Sequence, residues 1–106
     1  MLQAPPAWLA AWEPVREFVR RVERALPADA IATSWWRGLA ENARVGGHPY
    51  SQHLLGTAAD WLPHPEIAAR ARAAGLVVVD EGDHVHTQLY PAGSLNFVVD
   101  YVRGWL

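Results

Sequence analysis

The sequence predicts an α+β fold in which helices flank a small antiparallel sheet. Three observations lead to this prediction. Residues 13–26 carry apolar side chains at helical spacing. Short runs rich in β-branched and aromatic residues have the length of strands, and the last two of these runs are separated by a tight-turn sequence. The resulting order of helix, strand, helix, strand, helix, hairpin and helix is typical of the α+β class.

The first predicted helix runs from about Glu13 to Leu26 and follows an irregular N-terminal arm, residues 1–12, that is rich in Ala, Pro and Trp. Pro14 suits the first turn of this helix, and Pro27 ends it. Arg and Glu side chains occupy the opposite face from the apolar residues. The apolar residues that share one face at i, i+3 and i+4 spacing are Val15, Phe18, Val19, Val22 and Leu26.

The middle of the chain predicts two strands around a loop. AIATSWW, residues 30–36, is β-branched and aromatic and predicts a strand. A short helix near Leu39–Arg44 follows it. VGGHPYSQH, residues 45–53, is rich in turn formers and predicts a loop, and AADWL, around Asp60, predicts a short strand.

The last third predicts a helix, a hairpin and a final helix. Pro65 opens a helix that runs to about Ala74 and is closed by Gly75. LVVV, residues 76–79, and HVHTQLY, residues 84–90, form the hairpin, and Gly82 supplies a positive φ in its turn. Ser94 is placed to cap a last helix that reaches about Trp105.

Composition excludes several classes of protein. The 106 residues predict one domain, residues 1–106, and the 51% hydrophobic and 19% charged fractions exclude disorder. A net charge of -2 with scattered Arg argues against nucleic acid, and the absence of Cys excludes disulfides and thiolate metal sites. The N-terminus does not resemble a signal peptide and no run is long enough for a membrane span, so we expect cytoplasmic synthesis. We also expect a monomer.

Histidine and aspartate cluster in two segments. SQHLLGTAAD, residues 51–60, contains His53 and Asp60, and DHVHTQ, residues 83–88, contains His84 and His86. His84 and His86 are two apart on a predicted strand, so they point to the same side of the sheet. One His, one Asp and a His pair can provide three ligands for a zinc ion with an open position, the arrangement of a hydrolytic site.

SQHLLGTAAD matches every fixed position of SxHxxGxAxD. It therefore resembles the zinc D-alanyl-D-alanine carboxypeptidases of the VanX and VanY type, whose fold is shared by the hedgehog signalling domain. The upstream run ATSWWRGLAENARVGGHPY is similar to the lead-in of that family, and DHVHTQ is similar to its second signature, an acidic residue three positions before a His. The resemblance covers residues 31–88 and implies a hedgehog-like or D,D-peptidase-like fold.

The resemblance also implies roles for individual residues. His53, Asp60 and His86 would be the zinc ligands, and Asp83, three residues before His86, would be the catalytic base. Glu81 with His84 is the rival pair, because it fits the same spacing. Ser51 and Gln52 would contact the substrate, Arg37 would bind the substrate and stabilise the oxyanion, and His84 is a further catalytic candidate.

These features predict a zinc metallopeptidase that hydrolyses peptide bonds of bacterial peptidoglycan stem peptides, as a D,D-carboxypeptidase or an endopeptidase. We expect either a stand-alone enzyme or an endolysin-like phage product that reaches the cell wall through lysis or phage machinery. The alternative is a catalytically silent, metal-stabilised interaction module, or phage structural module, of the same fold. Three acids, Asp80, Glu81 and Asp83, precede the predicted ligand His86, and their presence together with that of Arg37 favours the enzyme.

Overall fold

The computed structural model describes residues 2–104 and confirms the predicted α+β class with a small antiparallel sheet. Its helices are α1 (Ala7–Ala10), α2 (Glu13–Ala25), α3 (Leu39–Arg44), α4 (Ile67–Ala73) and α5 (Asn96–Arg103), and a 3₁₀ helix spans Gln52–Leu55. The strands are β1 (Ala32–Ser34), β2 (Ala58–Trp61), β3 (Val77–Asp80) and β4 (Val85–Gln88). Among the described residues, no helix has the length and apolar character needed to cross a membrane.

The sheet has the strand order β1-β2-β4-β3, and all of its neighbouring strands are antiparallel. β3 and β4 form the predicted hairpin, whose turn contains Gly82 at φ 87°. Asp60 on β2 lies directly opposite His86 on β4. Because side chains alternate between the two faces of a sheet, this register puts Asp60 and His86 on one face.

The other face of the sheet packs on the hydrophobic core. Ala59 and Trp61 of β2 and Val85 of β4 are buried in one cluster with Phe18 of α2 and Ile67 of α4. These strand residues alternate with Asp60 and His86, so the core covers one face of the sheet, and Asp60 and His86 lie on the opposite face. Phe18 and Ile67 are each at most 2% exposed, and burial of such side chains contributes about 1.5–3 kcal/mol each.

A second apolar cluster supports the 3₁₀ helix. Leu54 and Leu55 pack against Leu95 and against Val99 of α5. Leu55 is fully buried. The 3₁₀ helix therefore rests on α5 through two leucines that directly follow His53, and this contact restricts where His53 can lie.

The structure differs from the predicted elements mainly at their ends. Part of the predicted irregular arm forms α1, in which Leu9 is buried. The strand predicted at residues 30–36 is shortened to Ala32–Ser34, because the backbone N–H groups of Trp36 and Arg37 donate to Gln3 O and His53 O instead of continuing the ladder with β2. Ser94 does not cap α5, since Leu95 holds that position without a side-chain hydrogen bond. The predicted end of this helix at Trp105 lies outside the described residues.

Candidate metal centre

Asp60 and His86 meet across the β2–β4 ladder. Residues directly opposite each other in an antiparallel pair have Cβ atoms about 4.5–5.5 Å apart, so their side chains can touch. His86 Nδ1 lies 2.9 Å from Asp60 Oδ1. The neighbours Ala58 and Ala59 are buried and small, which lets surrounding elements pack closely beside this pair.

His53 reaches the same point from the 3₁₀ helix. Ser51 caps that helix by accepting a hydrogen bond from the His53 backbone N–H at 3.1 Å, and Gly56 ends it in the left-handed region at φ 75°. The backbone N–H of Arg37 donates to His53 O at 3.0 Å. The loop that carries His53 is therefore tied to the segment that follows β1.

The two tryptophans after β1 complete this attachment. Trp35 Nε1 donates to Gly56 O at 2.8 Å, and Trp36 Nε1 donates to Leu54 O at 3.1 Å. In return, His53 Nδ1 lies 2.5 Å from Trp35 O. A carbonyl oxygen can only accept, so Nδ1 must carry the hydrogen, and Nε2 is the ring nitrogen of His53 that can bind a metal ion.

His53 Nε2 is buried and has no hydrogen-bond partner among residues 2–104. It lies 3.3 Å from Asp60 Oδ1, and both atoms could bind the same cation. Leaving such a buried group without a partner costs about 1–3 kcal/mol. A cation between the two atoms would turn this cost into two favourable bonds.

The remaining polar atoms of the site have protein partners. His86 Nε2 lies 2.8 Å from Gln88 Oε1. Arg37 donates from Nη2 to Asp60 Oδ2 at 2.9 Å and from Nε to Ser34 Oγ at 3.1 Å. Two ring nitrogens, His53 Nε2 and His86 Nδ1, and one carboxylate oxygen of Asp60 are thus directed at a common point.

This donor set fits a zinc ion. One ligand atom from each of His53, Asp60 and His86 lies within 4.8 Å of the others. Zinc binds His nitrogens at about 2.0–2.1 Å and carboxylate oxygens at about 2.0–2.2 Å, and hydrolytic sites use three protein ligands with one open position. Two imidazoles and a carboxylate also suit other first-row divalent ions.

The pKa values of Asp60 and His86 move apart. Burial raises the pKa of Asp60, but the neighbouring His53 and His86 imidazoles lower it by more, so it lies well below its usual range. Burial lowers the pKa of His86, whereas hydrogen bonds to Asp60 and Gln88 and the negative charges of Asp60 and Glu81 raise it overall. Asp60 is therefore ionised at neutral pH, as a metal ligand must be.

The three residues line one side of a cavity of about 790 Å³. Its wall also contains five residues that the sequence singled out, Arg37, Ser51, Gln52, Glu81 and His84, together with Gln88, Ala92, Gly93, Leu95 and Asn96. A cavity of this size that borders a possible metal site has room for a peptide.

The two candidate bases lie in different environments. Glu81 lines the cavity, whereas Asp83 is not among its lining residues and its side chain is 88% exposed. Asp83 Oδ1 instead lies 2.6 Å from His84 Nδ1. His84 Nε2 is 4.0 Å from Asp60 Oδ1, so His84 connects Asp83 to the edge of the ligand set.

Gln52, predicted to contact substrate, is engaged with the protein. Its Nε2 donates to Tyr90 O at 2.6 Å, and its Oε1 accepts from Thr57 Oγ1 at 3.1 Å and from the Tyr90 backbone N–H at 3.3 Å. The residue is only 5% exposed. These bonds join the 3₁₀ helix to the end of β4, and we therefore propose that Gln52 has a structural role.

Gln52→Leu is expected to lower the free energy of unfolding by about 1–3 kcal/mol, because it leaves the Tyr90 N–H and the buried Thr57 hydroxyl without the Gln52 oxygen and removes one of the two donors to the Tyr90 carbonyl. For a domain of this size, each kcal/mol corresponds to about 4–8 °C in melting temperature. Thermal unfolding of the metal-free protein measures the effect, and Gln3→Leu makes the same change at an exposed position. An unchanged melting temperature combined with a raised KM would instead support a substrate contact.

Sequence reasoning missed Gln88 and the Tyr90 backbone. Gln88 follows His86 by two positions on β4, so strand alternation places it on the same face as the ligand. That periodicity was an available signal. The carbonyl of Tyr90 offered none, because backbone acceptors cannot be assigned partners before the register is known.

A family model described as Peptidase M15 matches residues 8–88. The match includes His53, Asp60, His86 and both candidate bases, and it ends before α5. No curated protein and no solved structure matches the chain significantly. The family match therefore covers all three candidate ligands, while Ala92, Gly93, Leu95 and Asn96 of the cavity wall lie beyond it.

Proposed function

Since the chain belongs to the peptidase M15 family, we propose that it is a zinc metallopeptidase. Its proposed substrates are peptidoglycan stem peptides, which it would cleave as a D,D-carboxypeptidase or an endopeptidase. The observation that carries the proposal is the convergence of His53 Nε2, Asp60 Oδ1 and His86 Nδ1 at the wall of a large cavity. The family match supports a peptidase that acts on a peptide, and the resemblance of SQHLLGTAAD to the D-alanyl-D-alanine carboxypeptidases supports the stem-peptide substrate. The proposed ligands are His53, Asp60 and His86.

His53, Asp60 and His86 would hold the zinc ion, which would supply Lewis acidity for a bound water and for the scissile carbonyl. Two features of the chain favour this use. His53 Nε2 has no other partner among the described residues, and Arg37 holds the second oxygen of Asp60, which orients the carboxylate toward the imidazoles. Outer hydrogen bonds of this kind are typical of metal-binding sites.

Proton transfer needs a carboxylate or imidazole that faces the cavity. We propose Glu81 for this role, because it lines the cavity and its charge acts on His86. We propose that Asp83 assists proton transfer by orienting His84, since its carboxylate is hydrogen-bonded to Nδ1 of that ring. His84 Nε2 then faces the ligand set and is available to a substrate or to a leaving amine.

Arg37 is proposed to stabilise the oxyanion that develops on the attacked carbonyl. Its guanidinium lines the cavity beside Asp60, carries a permanent charge and is held by Ser34 and Asp60. Donors that are fixed in advance lose little energy to reorganisation as the charge develops. Ser51 stands at the cavity wall next to the first ligand and is a proposed substrate contact.

The test joins metal content with hydrolysis on one purified sample. We expect one zinc per chain by elemental analysis, and cleavage of stem peptides that stops on addition of a chelator and returns with zinc. The product masses then identify the bond: loss of a terminal D-alanine indicates a carboxypeptidase, and two peptide fragments indicate an endopeptidase. Zinc without cleavage of any stem peptide would favour the silent metal-stabilised module, and absence of zinc would refute the proposed site.

A further inference from the structure

The geometry points to Gln88 as the positioning residue that selects Nδ1 of His86 as the metal-binding nitrogen, and to the Tyr90 carbonyl as the anchor that holds Gln88 in place. Gln88 is not a ligand in this arrangement. It acts on the ring of His86 from the side away from Asp60. The inference rests on the proposed metal site but does not require peptidase activity.

The orientation of the Gln88 amide follows from its neighbours. Gln88 Nε2 lies 2.7 Å from Tyr90 O, and a carbonyl can only accept a hydrogen bond. The NH₂ group must therefore face Tyr90, which leaves Oε1 toward His86. Gln88 Oε1 lies 2.8 Å from His86 Nε2.

An amide oxygen can only accept, so His86 Nε2 must carry the hydrogen in this contact. Nδ1 faces a second acceptor, Asp60 Oδ1 at 2.9 Å, and lies among the proposed ligand atoms, so Nδ1 is the nitrogen whose hydrogen a bound metal ion would replace. Metal-bound histidines commonly donate their second N–H to an acceptor that sets the tautomer and ring orientation. Gln88 provides this acceptor for His86, as Trp35 O does for His53.

The Tyr90 carbonyl also joins the two ligand-bearing segments. It accepts from Gln88 Nε2 at 2.7 Å and from Gln52 Nε2 at 2.6 Å. Gln52 directly precedes His53, and Gln88 follows His86 by two residues on β4. One backbone oxygen thereby fixes the 3₁₀ helix and β4 relative to each other beside both histidines.

Two substitutions at one position separate this role from simple packing. Gln88→Leu keeps a side chain of similar size but removes the acceptor, and we expect it to weaken zinc binding about 10–100-fold. Gln88→Glu retains an acceptor for His86 Nε2 but loses the donor to Tyr90 that anchors the side chain, so its zinc affinity should lie between those of Gln88→Leu and the unaltered chain. Gln3→Leu is the matched control, because Gln3 is exposed. Affinity is measured by competition with a chromophoric chelator, without substrate.

A second measurement needs no variant. In the zinc-loaded protein, NMR should detect a slowly exchanging hydrogen on His86 Nε2 that is close to the Gln88 side chain. A hydrogen on Nδ1 instead, or Gln88→Leu with unaltered zinc affinity, would overturn the role of Gln88 while leaving the metal site intact. An unaltered chain that binds no zinc would overturn the site itself, so the two failures are distinguishable.

Discussion

Asp60→Asn is expected to abolish tight zinc binding and to lower the stability of the metal-free protein. The substitution removes the negative charge that both imidazoles face, since Asp60 Oδ1 lies 2.9 Å from His86 Nδ1 and 3.3 Å from His53 Nε2. A neutral amide oxygen is a much poorer zinc ligand than a carboxylate, so we expect the affinity to fall by more than about 100-fold. Elemental analysis after dialysis and chelator competition measure this loss.

The destabilisation has a separate cause in Arg37. Its side chain is 17% exposed and its Nη2 donates to Asp60 Oδ2, so Asp60→Asn leaves a partly buried cation without its counter-charge. Because Asn retains an oxygen that can accept the hydrogen bond, we expect a loss of about 1–3 kcal/mol, below the cost of fully breaking a buried ion pair. Thermal unfolding in the presence of a chelator isolates this effect from the loss of metal.

Asp29→Asn is the matched control for both measurements. Asp29 also pairs with a histidine, His64, at 3.0 Å, but its side chain is 80% exposed and lies outside the cavity. Exposed pairs of this kind contribute about 0–1 kcal/mol. Zinc content and melting temperature should therefore stay nearly unchanged in this variant. Full zinc occupancy in Asp60→Asn would refute the ligand set.

That Asp60 and His86 lie on short strands was predictable from local sequence, whereas the pairing of β2 with β4 that sets them opposite each other is a long-range contact that periodicity does not fix. Each residue lies on a strand that its own sequence predicted, and the antiparallel pairing brought the two polar positions opposite each other. The helix at residues 13–26 was predictable for the same reason, since its apolar face repeats at helical spacing. Such spacings of apolar residues predict structure reliably because the apolar side chains must face the core.

The shortening of the strand at residues 30–36 was not predictable from local sequence. Trp35 and Trp36 have high strand propensity, but their indole N–H groups donate to Gly56 O and Leu54 O, about 20 residues along the chain. These tertiary bonds, with the backbone bond from Arg37 to His53 O, attach the segment to the 3₁₀ helix that carries His53. They outweigh the local preference of the two tryptophans for a strand. The short helix α1 has a similar origin, because burial of Leu9 orders a segment whose composition indicated an irregular arm.

The choice between Glu81 and Asp83 also depended on tertiary geometry. The two acids are two residues apart on a turn around Gly82, so strand alternation cannot orient them. The structure turns Glu81 to the cavity and leaves Asp83 outward against His84. Both acids fit the same acid-x-x-His spacing, with His84 or with His86, which is why the sequence left the base open.

Glu81→Gln is expected to lower kcat by about 10²–10⁴-fold while zinc stays bound, because the amide keeps the size of the side chain but cannot take a proton. Asp83→Asn should lower kcat less, since it removes only the carboxylate that orients His84 through Nδ1. Kinetics on a stem peptide, with zinc content determined on the same samples, compare the two variants. Glu66→Gln is the control, because Glu66 is an exposed partner of Arg70 on α4 and lies outside the cavity.

The reverse ranking would reassign the base. A large loss of kcat in Asp83→Asn with near-normal turnover in Glu81→Gln would mean that substrate binding redirects the turn around Gly82 and brings Asp83 into the cavity. Zinc content separates this result from a change of ligand. If both Glu81→Gln and His84→Ala retain zinc, then His86 is the third ligand, whichever acid transfers the proton. The distances agree with this assignment, since Asp60 Oδ1 lies 2.9 Å from His86 Nδ1 and 4.0 Å from His84 Nε2.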